Sequence, residues 1–198
     1  MTTAPWRSPL SRALHRNRSL VYARYLQLAT LDLSGRPANR TVVFRGFLEN
    51  TNRLKFITDI RSEKITQMQH CSWSEACWYF PKTREQFRLL GTLDLVDAHR
   101  EEEALQKARY TTWQNISDPA RNQFTWPHPG SDRNSTPPEA FENTAPDATK
   151  PLDNFCLLLL DPIKVDYLLL RGEPQNRYIY ELEETEASLE WQMREVNP

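Results

Sequence analysis

Residues 85–96 read "EQFRLLGTLDLV", and Phe87, Leu89, Leu93 and Leu95 fall on one face of this stretch by strict alternation. A period of two is the signature of a strand with one buried side. Working outward, "EACWYF" (75–80) is a second extended run, and "LKFIT" (54–58) follows the polar turn "ENTN" (49–52). Further upstream "YLQLATLDL" (25–33) and "RTVVFRGFL" (40–48) flank "SGRPAN" (34–39), which has the turn chemistry of a hairpin. These runs predict a meander of at least five strands, with Trp73, Trp78 and Tyr79 read as core aromatics. "PLSRALHRN" (9–17) predicts an opening helix that continues toward Tyr25. "DAHREEEALQKARYTTW" (97–113) predicts another, with Asp97 as cap and Leu105 and Ala108 inward, and "DPARNQF" (118–124) a short third. Six of the 14 prolines lie between Pro127 and Pro151, which marks 127–152 as a loop insertion or lid. Two apolar strands, "FCLLLL" (155–160) and "KVDYLLL" (164–170), and a last one, "RYIYEL" (177–182), return the chain to the sheet. The expected class is α+β, mainly β: a closed or nearly closed antiparallel barrel with peripheral helices, forming one domain over 1–198.

Composition bounds the function. The formal net charge of -1, with no basic tail or stripe, argues against a nucleic-acid binder. Cys71, Cys77 and Cys156 are odd in number and widely spaced, as expected of reduced thiols rather than a disulfide framework or zinc site. His15, His70, His99 and His128 show no metal spacing, and neither GxSxG nor HExxH occurs. No apolar run approaches a membrane span, and the N-terminal stretch lacks the apolar centre of a signal peptide, so the expected location is the cytoplasm.

"FITDIRSEKITQMQ" (56–69) raises a specific chemical question, because Lys64 falls in the first turn of the predicted helix. A cation is unfavourable beside the positive end of a helix dipole unless an anion sits between them; otherwise Lys64 is a solvated surface lysine. The five glycines, at 35, 46, 91, 130 and 172, permit neither GxGxxG nor a Walker loop. A single phosphate therefore suits the site better than a di- or triphosphate.

"RTVVFR", "LKFITDIRSEKITQM", "REQFRLLGTLDLV" and "VDYLLLRGEPQNRYIYEL", in this order and spacing, resemble successive blocks of the pyridoxamine 5'-phosphate oxidase family of FMN-binding split barrels. The resemblance covers roughly residues 20 to 182, and the Pro-rich segment with "FTWPHPG" (124–130) before it is similar to a cyanobacterial and plant subfamily. It implies that the anion is the phosphate of FMN. Arg40 and Lys64 match the family's phosphate-binding arginine and lysine, with Ser62 beside them, and Val42, Val43, Ile57 and Thr58 lie on flavin-binding strands. Gln86 matches a flavin-contacting glutamine, and Arg177 the arginine of the final flavin-contacting strand. Arg45 stands where the family places a lysine that meets the substrate's phosphate, which implies a substrate with an anionic group. Five residues apart on a strand, Arg40 and Arg45 point to opposite faces.

Departures from the family pattern are equally specific. Glu63 replaces the arginine of the Ser-Arg-Lys triplet, and Arg61 is a nearby substitute for the lost charge. Leu168 replaces a tryptophan, and "EPQN" (173–176) lacks the Arg-x-His pair that grips substrate in the founding enzyme. Trp126 lies in the segment that the family sends toward the partner subunit's flavin. The resemblance implies a homodimer with FMN at the interface and a small-molecule substrate. Three functions are compatible with it: an oxidase of the pyridoxamine-phosphate type, an FMN-dependent reductase of another small molecule, or a flavin-binding module without turnover.

Overall fold

The computed structural model describes residues 3–184 and 188–198. Helix α1 (Arg7–Asn17) is followed by turns and then by strands β1 (Tyr25–Leu31), β2 (Pro37–Val43) and β3 (Leu54–Asp59). Next come α2 (Glu63–His70), β4 (Trp73–Phe80) and β5 (Glu85–Val96). Helices α3 (Glu103–Asn115) and α4 (Asp118–Asn122) lead into the Pro-rich segment, and β6 (Phe155–Leu169), β7 (Asn176–Glu184) and β8 (Leu189–Val196) complete the sheet.

All strand pairs are antiparallel, but the chain is not a simple meander. The hydrogen-bonded order is β2-β1-β4-β5-β6-β7-β8, with β3 paired to β6 across about a hundred residues of sequence. The chain beyond β2 then turns back on β3, through Arg45 N–H to the Lys55 carbonyl and Lys55 N–H to the Gly46 carbonyl, each 2.8 Å, and a Phe47–Leu54 bridge. The circuit β1-β2-β3-β6-β5-β4 thus closes on itself as a barrel. Closure hides most strand edges, and β7 and β8 continue the sheet as a wing.

The two predicted strands "FCLLLL" and "KVDYLLL" are one continuous strand, β6. Its first half pairs with β3 and its second half with β7, while β5 runs beside both. The register shifts where Leu90 faces Lys164 and Gly91 faces Pro162, leaving Ile163 as the extra residue of a bulge. Gly91 is required there, since a Cβ would lie 2.0 Å from the Asp161 carbonyl oxygen. Because the additional residue sits on β6, the alternation along β5 is unbroken: Phe87, Leu89 and Leu93 face the barrel interior with Leu26, Leu28, Phe56, Trp78, Leu158 and Leu160.

Three further expectations are corrected. Trp73 and Tyr79 are 47% and 46% exposed, because alternation along β4 turns them outward while Ala76, Trp78 and Phe80 fill the core. Helix α3 starts only after Glu102, and the Asp97 carboxylate instead accepts from the His99 N–H at 2.9 Å. Finally, β7 is not the last strand, since β8 pairs with it along its whole length. Trp191 of β8 packs on Trp6, ring centroids 5.9 Å apart, tying the wing to the N-terminal segment.

Candidate cofactor-binding site

Helix α2 packs against β1, with Ile65 and Met68 in the main core, and beside it the inward-facing residues become polar. Arg40 stands in register with Leu28 on β1 and therefore points to the inner side. Its Nη1 donates to Thr30 Oγ1 (2.6 Å) and to the carbonyls of Ala38 (3.0 Å) and Leu28 (3.2 Å). Its Nη2 donates to Gln67 Oε1 at 2.8 Å, and the Thr30 hydroxyl donates to the same oxygen at 2.6 Å. Across from it, Lys64 Nζ donates to Ser62 Oγ (2.6 Å) and Thr58 Oγ1 (2.9 Å). Ser62 is the N-cap of α2, yet its side chain caps no backbone N–H and serves Lys64 instead. Five of the residues here, Arg40, Thr58, Ser62, Lys64 and Gln67, come from β2, β3 and α2, and Thr30 comes from β1.

The electrostatics are those of a site arranged for an anion. Burial, and after it the nearby Arg40 charge, push the Lys64 ammonium down to about 8, against a weaker pull from Asp59. Arg40 is lowered too, by burial, with the exposed Glu63 acting in the opposite direction. Two half-buried cations are thus held together at the positive end of α2, where neither forms an ion pair among the described residues. Both carry donors suited to phosphate oxygens, as do the Ser62 hydroxyl and the first turn of α2, and the donor set fits a monophosphate.

The remaining predicted site residues are distributed differently. Arg61 is committed elsewhere: Nε and Nη2 grip Asp59 at 2.9 and 2.6 Å, and Nη1 donates to the Trp126 carbonyl at 3.1 Å. Asn154 joins the same carboxylate (2.7 Å) and the Phe124 carbonyl (2.8 Å). This hub pins the start of the Pro-rich segment beside the β3–α2 turn, and these donors hold the Asp59 carboxyl below its ordinary range despite burial. Val42 lies in the core, Val43 is half-buried on the outer side, and Ile57 packs on the small cluster of Trp113, Ile116, Phe124 and Phe155.

Gln86 and Arg177 share an outward-facing row, since Leu168 pairs with both, on β5 and β7 respectively. Arg177 is held by Asp166, Nε and Nη2 donating at 3.0 and 2.7 Å, beside a cavity of about 530 Å³ also lined by Glu75, Arg88 and Lys164. Gln86 is three strands from Arg40 in the hydrogen-bonded order, three residues along β5 from the position in line with it, and on the opposite side of the barrel wall. Within one chain the two sets do not meet. Arg45 is separate again: it is lowered by burial, then by Arg24, its Nε is buried without a partner, and Tyr25 acts in the opposite sense.

Residues 3–97 match the family model described as pyridoxamine 5'-phosphate oxidase, FMN-binding domain. The chain is 40% identical over 195 residues to pyridoxine/pyridoxamine 5'-phosphate oxidase 2 of Arabidopsis thaliana, covering 98% of both chains. The chain belongs to the pyridoxamine 5'-phosphate oxidase family. It is also similar to the crystal structure of a pyridoxamine 5'-phosphate oxidase-related, FMN binding protein from Nostoc punctiforme PCC 73102, at 57% identity, full coverage of both chains and a TM-score of 0.93. PhzG from Burkholderia lata 383 shares the fold alone, at 18% identity and a TM-score of 0.78 over all of this chain and 94% of that one. The cofactor of this split barrel is FMN, and every residue that builds the Arg40–Lys64 cluster lies within the matched FMN-binding domain.

Thr30 and Gln67 complete the cluster but carry no sequence signal of their own: a threonine within a strand and a glutamine on a helix both read as ordinary surface positions. Among the described residues no group of three or more His, Cys, Asp or Glu side chains is placed to hold a metal ion, and no helix is long and apolar enough to cross a membrane.

Proposed function

We propose that the protein is a cytoplasmic, homodimeric FMN-dependent oxidoreductase, one domain per chain, acting on a small molecule with an anionic group. The observation that carries this reading is the convergence of Arg40 and Lys64, two half-buried cations with no carboxylate partner among the described residues, at the N-terminus of α2. In this reading Arg40, Lys64 and Ser62 hold the cofactor's phosphate, with the first-turn N–H groups of α2 behind them. FMN, when bound, supplies a two-electron acceptor for a hydride from a substrate carbon.

A second copy supports the other end of the cofactor. Gln86 and Arg177 face outward, away from the Arg40–Lys64 cluster of their own chain, so they fit the cluster of a partner related by a two-fold axis. The exposed Tyr25 and Tyr79 on the same wall supply apolar surface for such a contact. Arg61 is assigned to the loop anchor with Asp59 rather than to the phosphate.

The substrate site is altered relative to the founding enzyme. Arg45, which has no ion-pair partner among the described residues, is available to an anionic group, whereas Glu173–Asn176 offers no cationic pair to hold the far end of a pyridine ring. Holding one end gives binding without alignment, and lost alignment costs about a hundredfold in rate. Aerobic hydrogen peroxide production is the test, with pyridoxamine 5'-phosphate and a panel of other small anionic amines and alcohols, on wild type and Arg45→Ala. Slow turnover of pyridoxamine 5'-phosphate and faster, Arg45-dependent turnover of another anion are expected. Rapid Arg45-independent turnover of pyridoxamine 5'-phosphate would overturn the assignment of the substrate site.

A further inference from the structure

Gln67 is 2% exposed, on the buried face of α2 one turn beyond Lys64. A glutamine amide is costly to bury unless its polar atoms are used. Here its Oε1 accepts from two donors at once, Thr30 Oγ1 at 2.6 Å and Arg40 Nη2 at 2.8 Å. Thr30 is equally buried, and its hydroxyl oxygen in turn accepts from Arg40 Nη1 at 2.6 Å. The two oxygens therefore occupy the end of the guanidinium formed by Nη1 and Nη2. A guanidinium has five N–H donors in a fixed planar fork. With Nη1 committed to Thr30 and the Leu28 and Ala38 carbonyls, and one Nη2 hydrogen to Gln67, the Nε–H and the second Nη2–H are the donors left over among the described residues. These two are parallel and form the side edge of the fork, the arrangement that meets two oxygens of one phosphate.

We propose that Gln67, with Thr30, is a positioning residue that selects which edge of Arg40 is offered to the phosphate of FMN, by holding the other edge inside the barrel end. The proposal rests on the assignment of the Arg40–Lys64 cluster to FMN phosphate. It also explains why α2 buries an amide rather than an aliphatic side chain at this position. Gln67 ties the helix that carries Lys64 to the strand that carries Arg40, so the two cations keep a fixed separation before the anion arrives. Preorganisation of this kind improves affinity without adding a contact to the ligand.

The test compares FMN with riboflavin, which has the same ring system and no phosphate. Apoprotein is titrated with each flavin, following quenching of flavin fluorescence, for wild type, Gln67→Met, Thr30→Val, Arg40→Ala and the Arg40→Ala/Gln67→Met double variant. Methionine and valine keep the side chains close to their original size and shape and remove the amide of Gln67 and the hydroxyl of Thr30. The expected result is about a tenfold loss of FMN affinity in Gln67→Met and in Thr30→Val, with riboflavin affinity changed less than about twofold. In the Arg40→Ala background Gln67→Met is expected to cause no further loss, because its effect passes through the arginine. Equal losses for both flavins, or a full additional loss in the double variant, would reduce Gln67 to a helix-docking residue and overturn the proposal. Should Gln67→Met fail to fold, Thr30→Val carries the same comparison. A wild-type protein that binds riboflavin as tightly as FMN would instead overturn the phosphate assignment itself, and this proposal with it.

Discussion

Replacing Lys64 with methionine separates what the lysine does for the fold from what it does for the cofactor. In the apoprotein the ammonium is poorly placed: burial and the Arg40 charge bring it down to about 8, so its charged form is held at a cost. Against that cost stand its hydrogen bonds to Thr58 at 2.9 Å and Ser62 at 2.6 Å, each contributing about 0.5–1.5 kcal/mol net. The two effects oppose each other, and methionine keeps the length and helix preference of the side chain. Apoprotein stability should therefore change by less than about 1 kcal/mol. Cofactor binding should respond quite differently, because a charge-assisted bond to a phosphate contributes about 1.5–3 kcal/mol, a loss of roughly ten- to a hundredfold in affinity. Thermal unfolding with and without FMN reads both quantities. At FMN a hundred times the wild-type Kd, the wild-type protein gains about 2.7 kcal/mol, and a variant binding a hundredfold more weakly gains only about 0.4 kcal/mol. A Lys64→Met protein that retains the full FMN-dependent increase in Tm would show that Lys64 does not hold the phosphate. One whose apoprotein melts far below wild type would show that the lysine is needed by the fold.

Further predictions follow the same site. Because the folded pKa of Lys64 lies below its unfolded value, the penalty of its charge is complete below about pH 8 and is relieved as pH rises toward 10.5. Apoprotein stability should thus gain a Lys64-dependent increment over that window, absent from Lys64→Met in pH-dependent urea melts. FMN affinity should peak between about pH 6, where the phosphate takes up its second proton, and about pH 8, where Lys64 begins to lose its own; a flat profile to pH 10 would contradict this. Glu63→Arg should tighten FMN binding several-fold, since it removes an exposed carboxylate near Arg40 and restores the charge found in the family's triplet; unchanged affinity by titration would count against a phosphate at this position. Arg40→Ala and Gln86→Ala chains, each deficient in FMN binding alone, should complement when unfolded and refolded together. Random pairing would leave about a quarter of the sites intact, whereas no recovery would place both residues in the same chain's site or show that no dimer forms.

Legibility in the sequence followed the range of the interactions. The alternation in "EQFRLLGTLDLV" identified β5 because a period of two is a local property, and the same is true of β1, β3 and β4. The β3–β6 pairing was not legible, since nothing within either strand specifies a partner a hundred residues away. Asp161-Pro162 read as a break between two strands, yet proline is tolerated where a bulge interrupts the ladder, and β6 runs through it. β8 escaped notice because "LEWQMREV" has exposed charge on both faces and no buried stripe. At the candidate site, the blocks in which they lie single out Arg40 and Lys64, and the fold brings the two cations near one another. Arg61 was read as a phosphate ligand from proximity in sequence, but its guanidinium is drawn to Asp59, two residues back, with which it makes a bidentate pair. Thr30 and Gln67 were invisible for a third reason: their significance lies in which atoms of Arg40 they occupy, a property of the folded arrangement only.

The most direct measurement is the identity and stoichiometry of the flavin carried by the purified protein, released by heat and resolved by chromatography, beside the same measurement on a folded Arg40→Ala/Lys64→Met variant. The expected result is FMN, not FAD, near one per chain in the wild type, and a variant that is colourless at micromolar FMN while keeping its circular dichroism spectrum. A colourless wild type that takes up no added FMN, or a double variant that holds FMN as tightly as wild type, would contradict it.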